Sequence, residues 1–464
     1  MSPSQAKPEP RDGLLYPRRL IAIVAISFGT ALFVIDGTIG NVALPTIARD
    51  LKVGEGTVVS AVTIYQLVTV MVLLPFATLG DRIGHRNLYQ IGQIVFMGAS
   101  ALTFLVHSFP ALLAVRALQA LGAGTALSVS AALLRQIYPA RSLGSGLGIN
   151  SVIVASSNAV APVVGGFIVA HSDWRIVYAL AAPFALASLL LGRSLPDPRP
   201  ARVPFDWRGG LWSAGSVALL VGGIELAAHA GQPLIGTAIA LAGLVSGGLL
   251  ARREMTRERP VLPVDLLVRP VIGLSIMAAT AGFIATSSLI VALPFRFEQG
   301  FGLTPQQVGI AVLPFPLTLL VVAPLAGWLS DRIKASILGL VGMAVAICGL
   351  ATMALLPAHP GMVGIAWRLA LCAAGFGLFF APNARLIIGG APKDRAAAAG
   401  GIFSTARLLG QTLGAAWVGV VLALGWGLGP APFLAGIALC AVAGVCSLVR
   451  LGKEPEKTRG AAPA

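Results

Sequence analysis

Charge is scarce in this sequence. Asp, Glu, Lys and Arg together make up 11% of its 464 residues, less than half of the roughly 25% found in a soluble domain. So few ionised groups cannot cover a water-soluble globule of this size, and a soluble protein is excluded. Cysteine is rarer still: Cys348, Cys372, Cys440 and Cys446 all lie in apolar stretches, with no spacing that suits a metal or a disulfide framework. They read as small buried apolar residues, and no metal or cofactor is expected. Five scattered histidines, His85, His107, His171, His229 and His359, form no cluster with acids or thiols, which argues against an enzyme. No GxxxxGK string followed by Ser or Thr occurs, so a nucleotide-driven pump is excluded as well.

What fills the chain instead is apolar: 56% hydrophobic residues, a mean hydropathy of +0.86 and 55 glycines. A membrane helix needs about 20 apolar residues at 1.5 Å rise each, and fourteen runs meet that length. They cover approximately 20–43, 57–79, 87–107, 109–135, 145–170, 174–195, 208–228, 233–251, 270–294, 305–329, 335–356, 361–384, 397–424 and 430–450. A barrel is excluded because its strands alternate apolar and polar over about 10 residues, and these runs do not. The sequence therefore predicts an all-α polytopic membrane protein of fourteen helices, embedded in a lipid bilayer.

The net charge of +15 suggests nucleic acid in a soluble chain. Here the basic residues sit in short gaps between apolar runs, with no basic patch interleaved with aromatics, so nucleic acid is not a partner. With the N-terminus inside, 26 Lys and Arg fall in inner segments against 4 in outer ones, Arg49, Lys52, Arg175 and Arg296. That bias places both termini in the cytoplasm and requires an even number of spans. The polar, proline-containing start is unlike a short cleavable signal, so the first span is expected to double as an uncleaved insertion signal.

Two Pro- and Arg-rich stretches, Ser194 to Arg208 and Arg252 to Pro270, read as linkers and divide the spans six, two and six. The expected organisation is a cytoplasmic tail over 1–19, a six-helix bundle over 20–195, an inserted pair with its linkers over 196–269, a second six-helix bundle over 270–450 and a tail over 451–464. A weak repeat supports duplication: Leu79-Gly80-Asp81-Arg82-Ile83 follows the second span of the first block, and Leu329-Ser330-Asp331-Arg332-Ile333 the second span of the last. Such internal repeats are common in secondary transporters.

Several stretches are specific enough to compare with known sequences. The first span reads Ile35-Asp36-Gly37-Thr38-Ile39-Gly40-Asn41-Val42-Ala43-Leu44-Pro45, and the loop after the second span Ala77-Thr78-Leu79-Gly80-Asp81-Arg82-Ile83-Gly84-His85-Arg86. The fourth span carries Arg116-Ala117-Leu118-Gln119-Ala120-Leu121-Gly122, and the fifth Gly148, Ser157 and Ala161-Pro162-Val163-Val164-Gly165-Gly166. Together they resemble the major facilitator superfamily, and within it the fourteen-span drug:proton antiporters. Nearly the whole chain is covered. Gly40 departs from the first-span signature, which usually has a branched residue there; Ala77, Ser157 and Ala161 stand where the family has glycine. Asp173-Trp174-Arg175 resembles the entry to the sixth span, where Ala181 replaces an expected asparagine, and Asp206-Trp207-Arg208-Gly209-Gly210 the entry to the inserted pair.

The resemblance implies a conformational latch at Asp81, Arg82, Gly84 and Arg86, echoed by Asp331 and Arg332, that stabilises an outward-facing state through contacts between the halves. Physically, Asp81 at a helix end can pair with an arginine or a helix N-terminus, and Gly84 permits a tight turn. It also implies a bend in the fifth span at Gly148, Pro162, Gly165 and Gly166 that marks exporters, since small residues allow close helix approach and Pro162 lacks an amide. Phe380-Ala381-Pro382-Asn383 and Gly400 to Gly414 with Arg407 match later spans, and Asn41, Asn383 and Arg407 become candidate cavity residues. Phe283, Phe295, Phe315, Trp328, Phe376, Phe379 and Phe380 supply aromatic surface in the second half.

Acids well inside the predicted spans are Asp36 and Glu225 alone. A charge at mid-helix costs about 3 kcal/mol or more, so Arg116 needs a partner inside the bundle, and Asp36 is the obvious one. Desolvation favours a neutral carboxylate while a nearby arginine favours the ionised one, which lets an acid so placed change state as a bundle rearranges. Asp36, Arg116 and Glu225 are thus the expected proton-coupling and substrate residues. Exchange of one proton for a monovalent cation gains nothing from the membrane potential, and few protonatable groups are present; neutral, zwitterionic or monovalent lipophilic substrates are expected over divalent ones. The functional expectation is a monomeric proton-coupled antiporter of the bacterial inner membrane that exports lipophilic, cationic or neutral drug-like compounds by alternating access (multidrug efflux), driven by the proton gradient. The alternatives are an exporter or importer of one specific metabolite and a transporter-like membrane sensor.

Overall fold

A computed structural model describes residues 13–138, 143–196, 206–229, 232–255, 264–330, 332–357, 359–392 and 396–453. Every regular element among them is helical: α1 Arg18–Asp50, α2 Glu55–Val58, α3 Ser60–Ile83, α4 His85–Leu102, α5 Phe109–Ile137, α6 Leu143–His171, α7 Arg175–Ala179, α8 Ala182–Leu191, α9 Trp207–His229, α10 Pro233–Glu254, α11 Val264–Leu267, α12 Pro270–Phe295, α13 Pro305–Val312, α14 Pro314–Leu329, α15 Ala335–Ala354, α16 Met362–Gly389, α17 Ala396–Ala423 and α18 Ala431–Leu451. In hydrocarbon each backbone amide must bond within its own segment, which is why unbroken apolar runs become helices.

Thirteen helical runs among the described residues are long and apolar enough to cross a membrane. The helix α6, 29 residues long, occupies the remaining apolar stretch of the sequence. Boundaries follow local chemistry. Gly84 adopts φ +96°, a conformation open to glycine, and turns α3 directly into α4. At α13, Thr304 accepts from the Gln307 amide while Gln307 bonds back to the Thr304 amide, with Pro305 in the first turn; the pair satisfies two donors that a helix start leaves open. Three expected spans are interrupted: the one over 57–79 breaks at Val59, the one over 174–195 at Leu180 and Ala181, and the one over 305–329 at Leu313, ahead of Pro314. Pro314 carries no amide hydrogen to continue the ladder.

The helices before the linkers, α1–α8, pack chiefly on one another: α1 on α6 and α8, α5 on α3 and α4. Those after the linkers, α12–α18, do likewise, with α12 on α17 and α18, and α15 on α16 and α18. The α9–α10 pair packs on itself and touches α3 and α17 through α9. Its outer helix, α10, buries Gly236 and Gly243 against α9 and exposes Leu234, Ile235, Leu241, Leu244, Val245 and Leu249 on the opposite side, an apolar surface suited to lipid. The N- and C-terminal groups meet through α6 with α13 and α14, α3 with α17, and α1 with α12. Between them lies the site.

Candidate transport site

Asp36 on α1 and Arg116 on α5 form a buried ion pair, with 1% and 3% of their surfaces exposed. Arg116 Nη1 donates to both Asp36 carboxylate oxygens at 3.1 Å and to Gln119 Oε1 at 2.8 Å. Gln119 in turn donates to Ser100 Oγ at 3.0 Å and to the Tyr178 carbonyl at 3.2 Å, which fixes its oxygen towards the arginine. The guanidinium lies over two rings, Tyr65 at 4.1 Å and Tyr178 at 4.4 Å. A desolvated cation–π contact contributes about 2 kcal/mol, so two rings and a carboxylate offset the cost of burying Arg116.

Tyr178 explains a departure noted in the sequence. A Cβ on Gly40 would lie 2.6 Å from the Tyr178 ring, so the ring that covers Arg116 occupies the room of a branched side chain on α1. Gln119 was legible as a polar residue three positions from Arg116, on the same helix face. Tyr65 and Tyr178 carried no sequence signal, because they come from other helices.

Directly beyond this pair, Gly37, Thr38 and Asn41 of α1 form one wall of a cavity of about 270 Å³ between the two groups of helices. Gln66, Asn158 and Pro162 continue that wall, and Phe283, Phe315, Phe380, Arg407 and Gln411 stand on the other side. Phe283 and Phe380 stack at 4.2 Å with an interplanar angle of 11°. Among the described residues lining the cavity, Arg407 is the single ionisable side chain.

The two groups also touch at the end of the bundle where α1 finishes. Arg49 pairs with Glu298 at 3.2 Å, Glu298 lying on a π-helical turn, Arg296–Gly300, that follows α12. A Cβ on Gly56 would meet the Gly419 carbonyl at 2.6 Å, one on Gly166 the Pro305 carbonyl at 2.5 Å, and one on Gly309 the Pro162 carbonyl at 2.4 Å. Gly165 packs in the same way on the Ile39 carbonyl, at 3.0 Å. Pro162, Gly165 and Gly166 thus sit where α6 meets both α1 and α13.

The expected site residues divide clearly. Asp36 and Arg116 come together, and Asn41 and Arg407 line the cavity. Asn383 does not: it is buried, donates to the Ser275 carbonyl at 2.9 Å and accepts from Arg450. Arg450 also donates to Ser336 and Ser275, so Asn383 belongs to a structural hub that holds α12, α15, α16 and α18 together. Glu225 stands apart from Asp36, accepting from Ser60 Oγ at 2.8 Å at the beginning of α3. Of the aromatic set, Phe283, Phe315 and Phe380 line the cavity, Phe295, Phe376 and Phe379 are buried, and Trp328 is exposed.

Among the described residues the ion-pair partner of Asp81 is His85, not an arginine. Asp81 accepts from His85 Nε2 at 3.0 Å, one turn along, and Gln136 donates to the other ring nitrogen at 3.1 Å. His85 of the same loop is therefore the partner of its acid. Arg82 lies in the last turn of α3 and Arg86 in the first turn of α4. Arg332 lies over the Trp328 ring at 3.6 Å. Asp331 lies outside the described residues, and Gly148 falls within α6.

Comparison with known proteins places this geometry in context. The chain is 39% identical over 415 residues to an uncharacterized transporter, YebQ, of Escherichia coli K12, which covers 89% of this chain and 91% of that protein. It is 28% identical to the riboflavin transporter RibZ of Clostridioides difficile, over 86% of this chain and 87% of that one, and 29% identical to the multidrug resistance protein Stp of Mycobacterium tuberculosis, over 87% and 76%. The crystal structure of a POT family transporter in complex with 5-aminolevulinic acid superposes with a TM-score of 0.70 at 18% identity, over 96% of this chain and 97% of that one, a likeness of fold. Residues 26–415 match the Major Facilitator Superfamily as a family. A helical membrane protein with a cavity between two groups of helices and a sequence that matches over most of its length, the chain belongs to the major facilitator superfamily and is a transporter rather than an enzyme.

Proposed function

We propose that the chain is a fourteen-span, proton-coupled antiporter that exports lipophilic, drug-like compounds across the cytoplasmic membrane of a bacterium, with both termini in the cytoplasm. Counting α6 with the thirteen qualifying runs gives the even number that the charge bias requires. α1–α8 and α12–α18 act as the two bundles that rock about the cavity, and α9 and α10 as the inserted pair. The reading of efflux is supported by the multidrug resistance relative and by the position of Pro162, Gly165 and Gly166 against α1 and α13.

The observation that carries the proposal is the buried Asp36–Arg116 pair, one residue along α1 from the cavity wall. A proton that neutralises Asp36 removes the charge holding α5 to α1. Arg116 stays cationic and keeps Gln119 and the two tyrosine rings, so the pair loosens without expelling the arginine. Protonation at Asp36 and the opening of one end of the bundle are coupled through α1, which carries both Asp36 and Arg49. A second reading, transport of one specific planar metabolite, is favoured by the stacked Phe283 and Phe380 and by the riboflavin transporter among the relatives.

Purified protein in liposomes with an imposed pH gradient tests the proposal. Substrate-dependent proton flux is expected in the unaltered chain and is lost in Asp36→Asn. Flux that persists unchanged in that variant removes Asp36 from coupling.

A further inference from the structure

We infer that the cavity selects flat aromatic anions, with Arg407 as the residue that determines this specificity. The inference rests on the reading of the cavity as the substrate site. Each of the other buried arginines has its charge answered by the protein. Arg116 has Asp36; Arg450 has Ser336, Ser275 and Asn383; Arg368 donates to the Thr352 and Gly364 carbonyls; Arg296 lies over the Phe433 ring at 4.7 Å. Arg407 differs. Among the described residues it has no ion pair and no side-chain hydrogen bond; its Nε is buried without a partner, as is that of Arg116, but Arg116 keeps Asp36 and Gln119 on Nη1 and Arg407 has no such contact. A guanidinium left open on a cavity wall is a site for a carboxylate or a similar planar anion, which it binds through two parallel hydrogen bonds.

The rest of the wall agrees. Asp36 is buried off the cavity and its charge is matched by Arg116, so no described acid offers a counterion to a cationic substrate. The parallel, stacked Phe283 and Phe380 rings both line the cavity and make that part of its wall aromatic. Gly410, one turn along α17 from Arg407, keeps that helix against Phe283, since a Cβ there would lie 2.7 Å from the Phe283 Cβ. Stacked rings and cation therefore share one side of the cavity. Across it, Asn41 Oδ1 and Gln66 Oε1 are buried without partners, ready for a hydrogen-bonding substituent at the far end of the substrate. A volume of about 270 Å³ lies just under the roughly 300–1,000 Å³ of drug-sized pockets, which suits two or three fused rings.

Three matched fluorescent probes test this: anthracene bearing a carboxylate, a hydroxymethyl or an aminomethyl group at the same carbon. Binding to the full-length protein in detergent is measured without a gradient. The carboxylate is expected to bind at least tenfold more tightly than the aminomethyl compound. Arg407→Gln is expected to abolish that preference while the neutral probe still binds, and Arg407→Lys to keep part of it. Equal or tighter binding of the aminomethyl probe, no binding of the carboxylate, or a preference that survives Arg407→Gln overturns the inference. Should Arg407→Gln lose the neutral probe as well, Arg407→Lys decides: a retained preference supports the assignment and a lost one rejects it. Proton-driven transport is measured separately in liposomes. Its absence alongside an intact carboxylate preference rejects antiport and leaves the selectivity standing, whereas proton-driven transport without that preference does the reverse.

Discussion

Replacing Gly166 by alanine adds one methyl group at the contact between α6 and α13, and its effect can be worked out from the geometry. The new Cβ would lie 2.5 Å from the Pro305 carbonyl oxygen, where real Cβ atoms stay beyond 3.0 Å. The obstacle is backbone, so a side chain cannot swing aside; α13 must retreat by about half an ångström. Overpacking of this kind costs about 1–3 kcal/mol. Alanine also favours a helix over glycine by about 1 kcal/mol, but it does so whether or not the two groups of helices touch, and cancels from the comparison. The strain exists only while they are in contact at this end. An equilibrium shifts by the difference in free energy between its states, so Gly166→Ala is expected to lower the closed-to-open ratio at this end by about 5- to 150-fold. Removing the Arg49–Glu298 pair with Arg49→Gln is a useful comparison. Arg49 is 60% exposed, exposed ion pairs contribute about 0–1 kcal/mol, and the shift is expected to be fivefold or less. Fluorophores at Lys52 and Leu424, both exposed at this end, report the separation in a Cys348→Ser background, the other three cysteines being buried. A Gly166→Ala separation that matches the parent, or a larger shift from Arg49→Gln, refutes the reasoning.

Further outcomes follow from the buried polar groups. Breaking a buried ion pair from one side costs about 3–5 kcal/mol because the other charge is left behind, so Asp36→Asn and Arg116→Gln are each expected to lower thermal stability in detergent. The double variant is expected to lose less than their sum, and strictly additive losses would count against a direct pair. Asn383→Ala removes an acceptor from Arg450 and is expected to cost about 1–3 kcal/mol, seen as a lower melting temperature with substrate affinity unchanged; weakened binding at unchanged stability would return Asn383 to the cavity. Glu225→Gln keeps the shape of the Ser60 contact and is expected to leave substrate-dependent proton flux within twofold of the parent, whereas loss of flux comparable to Asp36→Asn would make Glu225 part of the coupling machinery.

The fold was largely legible in the sequence. Apolar run length placed nearly every span within a few residues, because hydrocarbon leaves a chain few alternatives. The first helix is the main exception: it continues through Pro45 to Asp50, carrying Arg49 and Asp50 past the expected apolar limit. The Asp36–Arg116 pair was also legible, since two rare charges inside apolar runs need each other. Asn383 was misplaced for an instructive reason. A polar residue in a membrane helix must find a partner, but its sequence does not say whether that partner is a substrate or another helix, and here it is Arg450.

The sequence by itself determined that the chain is helical and membrane-embedded and which charges lie inside the apolar spans. These are properties of single segments, fixed by transfer energies that act residue by residue. Only the tertiary structure decided what those charges do. Arg116, Arg407 and Arg450 are the same side chain in similar apolar helices, yet one is paired with an acid between two tyrosine rings, one is left open on a cavity wall, and one is spent on a hub of hydroxyls and an amide. The difference lies in which other helices come within about 3 Å of each guanidinium, and that is a property of packing between segments far apart in the chain.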